Sequence, residues 1–298
     1  MVDLAEYARR VAYTGDLRPS AECLRGLHLA HATHIPFENL DVLLRRPILL
    51  DIESLWKKLV VDRRGGYCYE QNTLFAAVLE QLGFPVTRLA ARVLLGATGI
   101  TPRSHMLLAV EADGARWLAD VGFGGEGLLH PLPWRPGETI EDFGWVYRLL
   151  KESRSLLLQA RRAGEWLDLY RFTMEEQHPV DYQVANYYTS TYPNGYFLQK
   201  LMVHLPAPEV RVTLLNRGLI ERSPEGSRET LLPDDDAILE TLASRFGLNF
   251  PTGTRFPYVD DGNPVDIHSK CIGLQLEPKT LEIHHLIVEK AEKKPLEN

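Results

Sequence analysis

Cysteine is scarce in this 298-residue chain: Cys23, Cys68 and Cys271 are all it has. An odd number spread so widely builds no disulfide framework, which favours free thiols in a reducing compartment. No apolar run reaches the 18 or more residues that a membrane span requires, and "MVDLAEYARRVAYTG" places Asp3, Glu6, Arg9 and Arg10 where a signal peptide needs an apolar core. Basic residues are the minority, 33 against 40 acidic, so the net charge of −7 offers no general attraction to nucleic acid or to an anionic membrane surface. Internal repeats and low-complexity segments are missing as well. What is left is a cytoplasmic chain long enough for two or three packed domains, with 45% hydrophobic residues to fill their cores.

The hydrophobic period changes along the chain. The first 84 residues read helical: "SAECLRGLHLAHATH" keeps Leu24, Leu27 and Ala30 or His31 on one face between Pro19 and Pro36, and "DIESLWKKLVV" opens on Asp51 as N-cap. "CYEQNTLFAAVLEQLG" carries Leu74, Phe75, Val78, Leu79 and Leu82 at helical spacing, then stops at Gly83 with Pro85 beyond. From Val86 the period shortens. "VTRLAARVLL", "HMLLAVEADGARWLAD" and "WVYRLLKESRSLLLQARRAGEWLDLYRF" are strand-length runs broken by Asp-Gly, Ser-Arg-Ser and Ala-Gly, the pattern of an antiparallel meander that closes as a small barrel or curled sheet. Pro179 opens a short helix. A last region mixes strands ("FLQKLMVHL", "VRVTLL") with the helix of "PDDDAILETLASRFG", and the tail "EKAEKKPLEN" is expected to be solvated and frayed. The expected class is α+β, with domains at 1–84, 85–190 and 191–298.

A cysteine in such a chain is more often a small buried hydrophobe than a nucleophile, and Cys23 and Cys271 read that way. Cys68 stands apart because "RRGGYCYEQN" puts it at a helix N-terminus, whose partial positive charge favours thiolate over thiol. Gly65 and Gly66 before it permit a close backbone approach, and the free amides of that helix start suit an oxyanion. Its partners follow from hairpin geometry. An Asp113-Gly114 turn pairs Ala112 with Ala115, which sets Asp120 opposite Leu107 and His105 opposite Gly122. Asp120 and His105 then share a face as diagonal neighbours, within roughly 7 Å. A cysteine on a helix start, followed along the chain by His and then Asp on adjacent strands, is the order and architecture of papain-like thiol chemistry. The other nine histidines, among them the strand-like pair His284 and His285, have no comparable context, and no spacing of His, Cys and carboxylates makes a metal site.

These residues resemble a known family. "RRGGYCYEQN" is similar to the RGGxCxExN signature of the arylamine N-acetyltransferases, and "HIPFENLDV", "SHMLLAV", "LADVGFGG" and "VDYQVANYYTSTYPNGYF" resemble further segments of that family in the same order. The resemblance implies a helical domain, a β-barrel and an α/β lid, a triad of Cys68, His105 and Asp120, and transfer of an acetyl group from acetyl-CoA to an aromatic amine or hydrazine through an acetyl-cysteine. It also implies Phe37 and Phe123 near the acetyl group and an ion pair of Glu38 with Arg64 behind the site. Gly124 and Gly125 leave backbone amides open to the acyl or phosphate groups of CoA, and Thr101 and Arg103, just before His105, are the candidates for its pantetheine or phosphate contacts. Gly195 departs from the family pattern, which has a serine there. Two other readings of the same triad order stay open: a thiol hydrolase or transglutaminase-like acyl transferase, and a binding module with a degenerate triad.

Overall fold

The computed structural model describes residues 2–259. Cys271, His284, His285 and the charged tail lie outside them. The N-terminal part is helical, as its period predicts: α1 (Leu4–Arg10), α2 (Ala21–His34), the strand β1 (Phe37–Glu38), then α3 (Leu40–Leu43), α4 (Ile52–Leu55) and α5 (Cys68–Leu82). Asp51 caps α4 by accepting the Ser54 amide, 2.9 Å. The run does not stay α-helical, however; Trp56–Val61 widens into a π-helix. Helix α5 ends on Gly83 in the left-handed conformation, φ 95°. Buried Arg10 ties these helices together, its Nε donating to the Leu59 carbonyl at 2.8 Å and its Nη1 to that of His34 at 2.7 Å.

The meander is an eight-stranded antiparallel sheet. It comprises β2 (Val86–Val93), β3 (His105–Ala112), β4 (Ala115–Ala119), β5 (Leu132–Pro133), β6 (Thr139–Asp142), β7 (Trp145–Lys151), β8 (Leu156–Arg162) and β9 (Glu165–Glu176), in the order β5-β4-β3-β2-β9-β8-β7-β6. It curls into a barrel around Leu89, Leu107, Leu118, Tyr147, Leu158 and Leu169. β3 explains how the barrel meets the helices. Its side chains alternate: Leu107 and Ala109 belong to the barrel core, while Met106, Leu108 and Val110 pack with Leu74, Phe75 and Val78 of α5. Both faces are therefore buried, and the strand reads as an unbroken apolar run.

Beyond α6 (Pro179–Thr191) lies α7 (Tyr196–Gln199), then β10 (Met202–Pro206), β11 (Arg211–Leu215), β12 (Gly218–Ser223), β13 (Gly226–Leu231) and α8 (Asp235–Phe246), which the acidic Asp234–Asp236 turn opens and Gly247 closes. "FLQKLMVHL" is thus not one strand but a helical turn followed by β10. The sheet here runs β1-β10-β11-β12-β13. Its first strand, Phe37–Glu38, comes from the helical segment some 165 residues earlier, with Phe37 opposite His204. No local period reveals a two-residue strand, since its partner is chosen by tertiary packing. Among the described residues, no helix is long and apolar enough to cross a membrane.

Candidate active site

Cys68 is the first residue of α5 and is 4% exposed. The glycines before it make its position possible. A Cβ on Gly65 would sit 2.1 Å from the Pro36 carbonyl oxygen, so only glycine lets this loop run beside the strand that Phe37 begins. Glu70 closes the helix start by accepting the Tyr67 amide, 3.0 Å. Its carboxylate is in turn held by Lys58 at 2.7 Å, on the widened turn, and Lys58 also reaches Asp41 at 2.9 Å. Arg64 binds Glu38 at 2.6 Å, the pair implied by the resemblance, and Asp41 at 3.3 Å. Two cations and three carboxylates thus lock β1, α3, the glycine loop and α5 together beneath the thiol. Buried ion pairs of this kind fix geometry more than they stabilise.

The β3–β4 hairpin has the register that its Asp-Gly turn predicts: Ala112 pairs with Ala115, Leu108 with Ala119. β4 ends at Ala119, and Asp120 has just left the ladder. Its Oδ2 lies 2.7 Å from His105 Nε2, both groups being buried. Gly122 brings the segment after Asp120 against α5, for a Cβ there would fall 2.8 Å from both Cys68 Cα and Asn72 Nδ2. With Nε2 committed to Asp120, His105 keeps its other ring nitrogen for a second partner; the Cys68 thiol donates to the Ser104 carbonyl, 3.8 Å away on the residue before His105. Burial opposes a charge on this imidazole, but Asp120 and Cys68 outweigh it and raise its pKa to about 10. Burial likewise pushes the Asp120 carboxyl up, and His105, Asn72 and the Gly122 amide hold it below the usual range. The site is therefore arranged to keep an imidazolium beside a carboxylate. The stability this raised His105 contributes is present below its unfolded value of 6.5 and lost as the pH passes about 10.

Two further residues position Asp120. Asn72, in the CxExN segment, donates to Asp120 Oδ1 at 3.0 Å and to the Met106 carbonyl at 2.8 Å while accepting the Val121 amide at 3.1 Å. His28, fully buried on α2, sits 2.8 Å by Nδ1 from the Leu129 carbonyl and accepts the Asp120 amide through Nε2 at 3.0 Å. Those two contacts require the neutral tautomer with its proton on Nδ1. Sequence reasoning passed over His28 because it lies on the apolar stripe of a helix; only the 92-residue contact to Asp120 distinguishes it.

The remaining sequence candidates fall into two groups. Phe123 packs edge-on against His105, ring centroids 5.2 Å apart, and Tyr170 lies 5.0 Å from the same ring. Phe37 contacts His204 at 5.4 Å and Phe197 at 6.2 Å, and Phe197 also meets Tyr67 at 5.5 Å. Phe197, missed in the sequence, belongs to the same aromatic wall. Gly124 lies beneath His204 and Phe37. Thr101 is buried with its hydroxyl donated to the Val93 carbonyl at 2.7 Å, and Arg103 is paired with Glu175 at 2.8 Å. Both side chains thus serve the loop before His105. Among the described residues no group of His, Cys, Asp and Glu is arranged to hold a metal.

Acid should weaken the fold through its buried neutral histidines. Burial pushes His28 down to about 4, His31 to about 3 and His204 to about 4, from 6.5. The unfolded chain takes up these protons before the folded one does, so stability should fall as pH drops from 6.5 towards 4, by roughly 1.4 kcal/mol per pH unit for each group once it is protonated in the unfolded state. Denaturant midpoints measured from pH 7 to 4 test this. His28→Gln, which keeps an acceptor for the Asp120 amide, should show a shallower decline; an unchanged slope would mean that His28 is not buried neutral.

A thiol at a helix start in a helical layer, with a His–Asp pair on the adjoining β-barrel, is the arrangement on which papain-like thiol chemistry is built. A family model described as N-acetyltransferase matches residues 20–254. The chain is 39% identical over 249 residues to an arylamine N-acetyltransferase of Escherichia coli (strain K12), covering 82% of this chain and 88% of that protein. It is also 39% identical over 256 residues to one of Mycolicibacterium smegmatis, covering 83% and 92%. The solved arylamine N-acetyltransferase of Mycobacterium marinum superposes with a TM-score of 0.80 at 39% identity, covering 82% of this chain and 92% of that one, and a structure of the M. marinum protein in complex with CoA gives 0.79 at 38%, covering 82% and 92%. The chain belongs to the arylamine N-acetyltransferase family.

Proposed function

We propose that the protein transfers an acetyl group from acetyl-CoA to aromatic amines or hydrazines, in a cytoplasmic setting, with Cys68 as nucleophile, His105 as proton carrier and Asp120 as its support. The Cys68 thiolate attacks the thioester carbonyl of acetyl-CoA, the CoA sulfur leaves with the proton from His105, and acetyl-Cys68 remains. That product is itself a thioester, so the acyl group keeps its activation. An aromatic amine is weakly basic and neutral at pH 7, hence a usable nucleophile. It attacks the acetyl carbonyl, its proton passes to His105, and the thiolate departs. The single observation that carries this reading is the 2.7 Å His105–Asp120 contact beside a buried thiol at a helix start. The apolar wall of Phe37, Phe123 and Phe197 supports it, since water reaching the intermediate would waste it.

Acetyl-CoA alone should load the protein with one acetyl group and release CoA in a burst of about one equivalent. Adding an arylamine should discharge the adduct, and steady-state rates should give the parallel double-reciprocal lines of a ping-pong mechanism. Intact-protein mass spectrometry with peptide mapping around Tyr67–Asn72 is the measurement. Intersecting lines, or no adduct, would sink the covalent mechanism. An adduct that water removes as fast as amine does would support a thiol hydrolase instead.

A further inference from the structure

Resting on that acetyl transfer, we infer that Arg211 is a positioning residue for the reaction: from the five-stranded sheet it holds the glycine loop that seats Phe123 against His105. The loop is "GFGGEG", residues 122 to 127, with glycine at four of its six positions. Glycine loses more backbone freedom on ordering than any other residue, so a loop of this composition is costly to fix and needs partners outside itself. Its shape matters here. Phe123 packs edge-on against His105, ring centroids 5.2 Å apart, and against Tyr170 at 5.1 Å, while Gly124, at φ 86°, passes beneath His204 and Phe37.

Arg211 opens β11 and is 2% exposed. Its Nη1 donates to the Gly125 and Gly127 carbonyls, both at 2.8 Å, and its Nη2 to the Tyr147 hydroxyl at 2.6 Å. That hydroxyl donates onward to the same Gly127 carbonyl at 2.8 Å. The Gly127 amide in turn closes on the Gly124 carbonyl at 2.8 Å, which carries the restraint back to the residue after Phe123. Trp145 lies 4.2 Å under the guanidinium and sets its plane, and its own Nε1 is anchored on the Pro208 carbonyl at 3.2 Å. Glu126 finds its ion pairs elsewhere, with Arg222 at 2.5 Å and Arg162 at 3.1 Å, so the hydrogen bonds of Arg211 go to the loop backbone. One forked cation on a strand thus pins two carbonyls of the loop.

The charge state of the triad does not depend on this fork. Asp120 is fixed by Asn72, by His28 and by the Gly122 amide, and it holds His105 through Nε2. Arg211 acts through Phe123, which bounds one side of the His105 ring and belongs to the wall along which the acetyl group sits in the proposed mechanism. Loosening the loop therefore leaves the thiolate formed but misplaces the thioester carbonyl relative to it, and a misplacement of about 1 Å at a reacting centre costs on the order of 10²-fold.

The test uses Arg211→Lys, which keeps the positive charge but replaces the planar fork with a single nitrogen. Two rate constants are measured on each protein: alkylation of Cys68 by iodoacetamide, which needs only the thiolate, and the CoA burst at saturating acetyl-CoA, which also needs the seated wall. In Arg211→Lys the alkylation profile against pH should stay within about twofold of the wild type while the burst slows by about 10- to 100-fold. A role in folding alone predicts no such split, because neither rate constant depends on the fraction folded. Tyr147→Phe keeps the ring and removes only the hydroxyl between Arg211 and Gly127; it should give the same split at about 3- to 10-fold, the range of one hydrogen bond, and it decides the matter if Arg211→Lys does not fold. Burst rate constants equal to the wild type in the folded variants, or alkylation and burst falling in parallel, would overturn the assignment while leaving the transferase standing. A wild type that is alkylated at Cys68 but never acetylated brings down the transferase reading itself, and this inference with it.

Discussion

Cys68→Ser is expected to retain less than about 10⁻⁴ of wild-type turnover, the scale on which removal of a nucleophile acts in triad enzymes. The hydroxyl is nearly isosteric with the thiol and should leave the fold alone, since the site is small, buried and held by backbone contacts around it. Chemistry, not packing, accounts for the loss. A serine hydroxyl is a far weaker acid than a thiol, so His105 cannot deprotonate it to a useful extent. Any acyl group that did reach it would sit as an oxygen ester, less reactive toward a weak amine nucleophile than the thioester it came from. Turnover with acetyl-CoA and an arylamine is the measurement, alongside a thermal melt to show that the variant is folded. Substantial residual activity in a folded protein would show that Cys68 is not the nucleophile.

Asp120→Asn should lower activity by about 10³- to 10⁴-fold and move Cys68 alkylation to higher pH. The hydrogen-bond network predicts how. Asp120 Oδ1 accepts from Asn72 Nδ2 and from the Gly122 amide, both at 3.0 Å, so an asparagine must keep its oxygen on that side. Its NH₂ group then faces His105 Nε2 and turns that nitrogen into an acceptor, which leaves the ring proton on Nδ1, the nitrogen that the proposed mechanism needs as proton acceptor. In that tautomer the imidazole cannot take the proton of Cys68. The carboxylate is also the largest influence holding the imidazole protonated against burial, so without it the His105 pKa falls from about 10. Iodoacetamide rates across pH 5 to 10 provide the readout. An alkylation profile unmoved by the substitution would remove Asp120 from the triad.

Much of this site was legible because its signals are local. A helix that starts at Cys68 follows from an apolar stripe with a fixed period and from Gly83 at its end, features set within about 15 residues. The shared face of His105 and Asp120 follows from the parity of a two-residue Asp-Gly turn, which fixes register by backbone twist alone. The ladder stops one residue before Asp120, and the contact survives because Gly122 lets the next residues close onto α5. Other features carry no local mark. The π-helical widening at Trp56–Val61 has no sequence signal that we can name, and β1 is too short for a period to show.

The sequence by itself determined the helix start, the hairpin register and the order Cys68, His105, Asp120, since these depend on turn chemistry and short-range hydrophobic spacing. Only the tertiary structure decided that His28 would hold the Asp120 amide, that Phe37 would join a sheet with His204, and that Arg162, Arg211 and Arg222 would surround one carboxylate behind Phe123. Those partners lie on different elements, tens to more than a hundred residues apart. Which of them meet is settled by which buried faces pack together, and a burial pattern along one strand or helix does not name the face across from it.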